Sequence, residues 1–304
     1  MKIQSFEDNK VAGFYMGSDG YCLGKDFLTK DNNPERQYII DKQWYSYMLY
    51  GRLAYNPDIP SELFNYALNR NFPDLDTETL YKAWDAASMI FPWATRQIWG
   101  DIDTKWWPEA CWSSPDYKRF ITIKDVVEIE PVAGSNILNI SRWAQEYHSG
   151  IPSGMISPIQ VADTLEYYVR MADYYLKQLP QRKAGSFSQT DQLLGDIGLF
   201  AFIGQYYSHK IRAAAYIALY NNYGMEEDKE TALYLISKAQ DDWMHYSTLY
   251  DSKYKSALYN RIGIVDIVAI RENVKNDIDI IRDWKVNDIP EYEIKTRTET
   301  PFRQ

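Results

Sequence analysis

Hydrophobic and polar positions alternate with helical spacing along most of the chain. Apolar side chains recur three or four residues apart, which is typical of amphipathic helices. In the first hundred residues this pattern predicts three helices: Pro34–Tyr55, Glu62–Asn71 and Thr77–Trp99. In the second half it predicts four more: Pro158–Leu179, Gln189–Tyr223, Asp228–Tyr250 and Tyr254–Trp284.

These predictions define a mainly α protein. Because short connections make consecutive helices neighbours, residues 158–284 are expected to form a bundle of four antiparallel helices. Polar residues and glycine mark the helix ends. The predicted N-terminal caps are Ser61, Asp76 or Thr77, Ser157 and Asp228. Gly224 is predicted to end the helix that begins at Gln189.

Two stretches do not follow the helical pattern. Residues 100–130 look irregular, with a short helix near Lys124–Glu128, and a brief helix follows at Ile137–His148. Val11–Met16 is a short apolar run closed by Gly-Ser-Asp-Gly, which is typical of a buried strand and its turn. A lone strand has no hydrogen-bonding neighbours, so its partners are expected either outside this chain or in parts of it where the pattern does not show a strand.

The composition argues against several classes of function. The chain has 304 residues and a formal net charge of −9, which argues against nucleic acid, since phosphate binding needs a basic surface. Neither a signal peptide at the start nor an apolar run long enough for a membrane span is found, and no membrane partner is expected. Cys22 and Cys111 are far apart in sequence and are expected to stay free rather than pair.

No cofactor or metal is expected either. The three histidines stand in no zinc-binding motif. Asp241 and His245 could share a metal, but two ligands do not make a site. His209 is interpreted as a histidine satisfied at a core or an interface.

The most unusual feature is the aromatic content, with 26 Tyr and 10 Trp. Three of these tryptophans lie with three carboxylates in GDIDTKWWPEACWSS. Indoles stack on the C–H faces of sugar rings, and carboxylates accept hydrogen bonds from hydroxyls. The segment therefore has the composition of a sugar subsite, although it could equally plug its tryptophans between two helical units. The candidate residues are Asp103, Trp106, Trp107 and Glu109.

One stretch resembles a known family. Trp44–Phe72, with the run YGRLAYNPD at Tyr50–Asp58, resembles the segment that follows the catalytic barrel in family 67 α-glucuronidases and related glycoside hydrolases. The resemblance implies that Val11–Met16 is the last strand of a (β/α)8 barrel. Asp19 and Tyr21 would then face the substrate cleft, because barrel active sites lie on the loops after the strands.

The resemblance also implies a domain organisation. Residues 1–57 would be the terminal β/α unit of a barrel, 58–155 a helical segment with the Trp-rich loop, and 156–304 an antiparallel bundle with a C-terminal tail. The general acid and base come from earlier strands in that family, so no catalytic residue is assigned and the chain alone should not catalyse. Its partners would be an upstream barrel and an oligosaccharide or polysaccharide.

Two alternatives stay open at this point. The chain could be a stand-alone helical glycan-binding module, or a helical module for oligomerisation, for example as a homodimer. The compartment is also open: periplasmic or extracellular if an upstream segment carries a signal, and cytoplasmic otherwise.

Overall fold

The protein is mainly α-helical, as the spacing of its apolar residues predicted. We describe it from a computed structural model, over residues 29–31, 43–98, 106–113, 119–180, 187–259, 263–290 and 292. The predicted strand Val11–Met16 lies outside these residues. The helices are α1 (Trp44–Tyr55), α2 (Ser61–Asn71), α3 (Thr77–Ser88), α4 (Ile90–Gln97), α5 (Ile123–Glu128), α6 (Ile140–Ser149), α7 (Pro158–Leu176), α8 (Gln189–Tyr223), α9 (Glu226–Lys253) and α10 (Arg271–Asp283). The strands are β1 (Trp106–Trp107), β2 (Trp112–Ser113), β3 (Arg119–Phe120), β4 (Ala257–Tyr259) and β5 (Gly263–Val265).

Helix α8 is the axis of the fold. Its 35 residues span about 52 Å at roughly 1.5 Å per residue, and α3 to α7 and α9 all pack against it. At one end, Lys253 near the end of α9 lies 2.9 Å from Asp196 near the start of α8 (Nζ to Oδ1). The two helices are therefore antiparallel, as their short connection predicted.

Helix ends are fixed where the sequence placed strong caps. Ser157 and Gln160 form a reciprocal capping box at the start of α7. Asp76 accepts hydrogen bonds from the backbone N–H groups of Glu78 and Thr79 at the start of α3. Gly224 ends α8 in the left-handed conformation, with φ of 70°, which suits a residue without a Cβ.

The buried apolar residues form two clusters that meet along α7 and α8. The larger one surrounds Tyr206 and Trp243, both fully buried. The smaller one joins α1, α2 and α3 to α7 and the start of α8 through residues such as Leu68 and Leu80. Phe200 packs against both clusters, so the first four helices are attached to the bundle through continuous apolar packing.

The predicted helix from Thr77 to Trp99 is wrong in its length. The chain turns at Met89 and forms two helices, α3 and α4. Pro92, in the first turn of α4, has no N–H to donate to the carbonyl of Ser88, and its ring would clash with that carbonyl in a continuous helix.

The predicted last helix, Tyr254–Trp284, is also wrong in its first part. Ala257–Tyr259 and Gly263–Val265 pair as the antiparallel strands β4 and β5, and α10 begins only at Arg271. Ile264 and Val265 are β-branched and lie among other β-branched residues, a composition that favours strands.

Two predicted caps are wrong as well. Ser61 is the first helical residue of α2 after Pro60, and Asp228 lies inside the first turn of α9 with Glu226 and Glu227. Acidic residues in a first turn still stabilise a helix, because they face the positive end of its dipole.

Among the described helices, none combines the length and the apolar character that crossing a membrane requires.

Candidate functional site

The described part of the Trp-rich segment, residues 106–113, was predicted to be irregular; with residues 119–120 it forms a small antiparallel sheet in the order β1–β2–β3. Trp107 lies opposite Trp112, and Trp112 lies opposite Phe120. Directly opposed residues of an antiparallel sheet share a face, and here that face packs on the core. Trp107 is 7% exposed and Phe120 is 2% exposed, whereas Trp112 is only partly buried. Trp107 thus fills the core, and Trp112 reaches the surface.

Two tyrosines hold the turn between β1 and β2. Tyr207 of α8 donates a hydrogen bond to the carbonyl of Pro108 at 2.5 Å, and Tyr246 of α9 donates one to the carbonyl of Glu109 at 2.8 Å. Cys111 completes the turn with a φ of 47°, a left-handed conformation that is uncommon for a residue with a side chain. The turn is therefore fixed from below by both long helices.

A buried ion pair lies beneath this turn. Lys210 Nζ of α8 is 2.8 Å from Asp277 Oδ2 of α10, and both side chains are fully buried. Lys210 also donates to the carbonyl of Ile121 at 2.6 Å, and Asp277 Oδ1 accepts the N–H of Ile123 at 2.7 Å. Burial raises the pKa of the Asp277 carboxyl above its usual range, although the Lys210 ammonium opposes this shift.

Cys111 belongs to the same buried cluster. Its Sγ lies 3.7 Å from Lys210 Nζ, and the side chain is fully buried. Burial raises the pKa of the Cys111 thiol, with the Lys210 ammonium acting in the opposite direction. Because the thiolate is the reactive form, burial and the raised pKa both disfavour reaction of this thiol.

A small cavity opens at the partly exposed edge of Trp112. Trp112 forms one wall, and β5, the turn before α10 and the first turn of α10 form the rest; its volume is about 210 Å³. Asp266 is exposed, and its Oδ1 accepts the N–H groups of Val268 and Ala269 at 3.0 Å each. Asn273 contributes an exposed amide. We call this the Trp112 cavity: a flat aromatic wall beside one carboxylate and one amide.

Glu109 combines solvent access with an unusual electrostatic environment. Its side chain is exposed, yet the protein atoms around it desolvate the carboxyl and raise its pKa above the usual range.

The structure describes only part of the predicted site. Asp19, Tyr21 and Asp103 lie outside the described residues, and Trp106 is described only as the first residue of β1. Trp107 and Glu109 lie on either side of Pro108, one in the core and one at the surface. The sequence pattern did not single out Asp266 and Asn273. They lie beside Trp112 because β5, which was not predicted, precedes them.

No cluster of three or more His, Cys, Asp or Glu side chains that could hold a metal occurs within the described ranges. His209 Nδ1 lies 2.6 Å from Asp242 Oδ2 across the interface of α8 and α9. Its interpretation as a satisfied interface histidine is confirmed.

Comparison with solved structures finds a similar fold in a known enzyme. No protein-family model matches the chain, and none of the curated proteins matches its sequence. Among solved structures, the fold is similar to a GH138 enzyme targeting pectin rhamnogalacturonan II, with a TM-score of 0.64 and 13% sequence identity. The match covers 84% of this chain and 40% of that enzyme. The chain therefore shares its fold with part of that glycoside hydrolase, and this likeness does not single out family 67.

Proposed function

We propose that this chain is the C-terminal portion of a polysaccharide-degrading glycoside hydrolase. It would pack on a catalytic barrel formed largely upstream and would line one side of the sugar cleft. The general acid and base would be carboxylates of that barrel, flanking the scissile bond as glycoside hydrolysis requires. The likeness of this fold to part of a glycoside hydrolase is the observation that carries the proposal.

The residues of the Trp-rich segment support a role in binding glycan. Trp112 offers an aromatic wall to the face of a pyranose ring, while Asp266 and Asn273 can accept or donate hydrogen bonds to its hydroxyls. Glu109 could contact a neighbouring sugar. On this proposal Asp19 and Tyr21 would face the cleft from the last barrel loop, and Asp103 and Trp106 would extend the same subsite. Trp107 would support it from the core.

The finer proposal concerns the substrate. The stretch YGRLAYNPD favours an α-glucuronidase-like activity, with glucuronoxylan as the polysaccharide. The structural neighbour targets a pectin, so pectic polysaccharide is the second substrate to test. Both are acidic plant polysaccharides, and both present hydroxylated rings to an aromatic wall.

The test uses the chain as it stands. Affinity electrophoresis in gels containing glucuronoxylan or rhamnogalacturonan II should retard the protein, and a reducing-end assay on the same polysaccharides should show no release of sugar. If neither polysaccharide retards the protein, the proposal is contradicted. Measurable hydrolysis that is lost on Asp103→Asn or Glu109→Gln would also contradict it, because the catalytic carboxylates would then lie in this chain.

A further inference from the structure

A second concave site lies between α6 and α7, at residues that follow the Trp-rich segment in sequence. It is a cavity of about 470 Å³ lined by the end of α6 and by the loop that leads into α7, and its volume lies within the range of roughly 300–1,000 Å³ typical of ligand pockets. Aromatic, acidic and amide side chains line it together: Trp143, Glu146, Tyr147 and Gln160.

Two aromatic rings form its apolar side. Trp143 and Tyr147 are four residues apart on α6 and therefore share one face. Their ring centroids are 5.2 Å apart with an interplanar angle of 36°. Trp143 is 8% exposed and is held by the core, whereas Tyr147 is 65% exposed. An exposed large ring that leans on a fixed indole provides a stable platform at the rim of the cavity.

The polar side suits an uncharged ligand. Glu146 Oε1 accepts a hydrogen bond from Arg142 Nε at 3.0 Å, and Glu146 Oε2 accepts the N–H of Ser153 at 3.0 Å. The Arg142 guanidinium compensates the carboxylate charge, so the site has little net attraction for a cation. The carboxylate oxygens still have lone pairs that can accept bonds from hydroxyl groups.

The opposite rim adds a donor. Gln160 is exposed, and its Oε1 accepts the N–H of Ser157 at 2.9 Å in the capping box of α7. This bond orients the amide and leaves its NH₂ group on the other side. The cavity therefore combines an aromatic platform, a charge-compensated acceptor and an oriented donor.

We propose that this cavity, which we call the Tyr147 site, is a second carbohydrate-binding site that takes one or two neutral sugar residues of an oligosaccharide. The sugar ring would stack on Tyr147, and its hydroxyls would donate to Glu146 and accept from Gln160. The site adds a second anchoring point to the proposed function and rests on that function only for the class of ligand.

Site-resolved ¹⁹F NMR of the full chain labelled with 5-fluorotryptophan tests the proposal. The Trp143 and Trp112 signals are assigned by Trp143→Phe and Trp112→Phe. Xylohexaose, cellohexaose and arabinohexaose are titrated as neutral oligosaccharides, hexagalacturonate as an acidic one, and tetramethylammonium as a cation that would occupy an aromatic cage. At least one neutral hexasaccharide should shift the Trp143 signal.

Tyr147→Ala is the deciding variant. Removing the ring should weaken binding, so that the dissociation constant read from the Trp143 signal rises about tenfold or more. Tyr234→Ala is the matched control, since Tyr234 is 62% exposed on α9, and it should leave the constant unchanged. Folding of both variants is checked by the dispersion of the remaining fluorotryptophan signals.

The outcomes separate this inference from the proposed function. A shift of Trp112 alone would overturn the Tyr147 site and leave the Trp112 cavity standing, whereas a shift of Trp143 alone would support the Tyr147 site and count against the Trp112 cavity. If no neutral hexasaccharide shifts Trp143, or if only tetramethylammonium or hexagalacturonate does so, the inference is wrong.

Discussion

Lys210 and Asp277 form a fully buried ion pair, with Nζ 2.8 Å from Oδ2, directly beneath the turn of the Trp-rich sheet. The pair joins α8 to α10, and its further hydrogen bonds hold the backbone at Ile121 and Ile123. The segment that carries Trp112 is thus supported by a charged pair that has no access to solvent. Breaking a buried pair leaves one charge uncompensated in a medium of low polarity.

We expect Lys210→Met to lower the free energy of unfolding by about 3–5 kcal/mol, because the Asp277 carboxylate loses its counterion. Urea denaturation at neutral pH measures this change. The double variant Lys210→Met, Asp277→Leu should be destabilised by clearly less than the sum of the two single variants, since the leftover charge is removed. Additive effects of the two substitutions would show that the pair is not coupled.

Asp125 should make stability sensitive to acid. Burial acts to raise the pKa of its carboxyl, but the hydrogen bonds from Arg119 and Thr122 outweigh burial and lower it below its ordinary value of 3.8. A carboxylate with a lowered pKa stabilises the folded state above its unfolded pKa, and this contribution is lost as pH falls through the folded value. We expect Asp125→Ala to cost about 2 kcal/mol at pH 7, in the range of charge-assisted hydrogen bonds.

The pH dependence supplies the check on that assignment. Urea denaturation of wild type and Asp125→Ala between pH 7 and pH 2 should give free energies that converge as the pH falls below 3.8. A difference that stays constant down to pH 2 would mean that the carboxylate charge of Asp125 contributes nothing.

Removing the hydroxyl of Tyr207 should loosen the turn that precedes Trp112. Tyr207→Phe removes the hydroxyl donor to the carbonyl of Pro108, which keeps only the longer hydrogen bond from the Cys111 N–H at 3.3 Å. We expect a loss of about 0.5–1.5 kcal/mol. Hydrogen exchange of the Ala110 and Cys111 amides should accelerate by more than global destabilisation alone explains. Tyr174→Phe is the control, because Tyr174 is 60% exposed, and it should change neither quantity. Unchanged exchange in Tyr207→Phe would show that the tyrosine does not hold the turn.

Close packing of α8 against its neighbours depends on Gly204. A Cβ added there would lie 2.8 Å from Val169 Cγ2 of α7 and 2.9 Å from Ile90 Cγ2 of α4. We expect Gly204→Ala to lower the melting temperature and to cost about 1–3 kcal/mol by overpacking. At Gly51 of α1 an added Cβ would meet nothing within 4 Å, so Gly51→Ala should raise stability by up to about 1 kcal/mol through helix propensity. Equal effects of the two substitutions would contradict the packing argument.

The sequence predicted the long helices well, because their boundaries depend on local chemistry. Gly224 can adopt the left-handed conformation, and Ser157 followed by Pro158 is a strong local signal for a helix start, so both ends agree with the structure. Pro92 was a local signal that the helical periodicity outweighed. The strands β4 and β5 could not be predicted from periodicity, because a short apolar run fits a helix as well as a strand. Packing beside Trp112 favours the strand, and that packing is not visible in the sequence.

The candidate site was predictable only in part for the same reason. A run of tryptophans and carboxylates indicates the chemistry of a sugar subsite, but it does not say which ring faces solvent. Opposed positions in the sheet put Trp107 and Trp112 on one face, and only the core beneath them decides that Trp107 is buried. Asp266 and Asn273 are more than 150 positions away along the chain, so their place beside Trp112 is a property of the fold.

The most direct test of the account is the affinity of the Trp112 cavity for glycan. Isothermal titration calorimetry should compare wild type, Trp112→Phe and Trp112→Leu with oligosaccharide fragments of glucuronoxylan and rhamnogalacturonan II. We expect Trp112→Leu, which keeps an apolar side chain but removes the flat ring, to weaken binding about tenfold, and Trp112→Phe to retain most of the affinity. Equal affinity of all three proteins, or no binding by wild type, would contradict a glycan-binding role for this cavity.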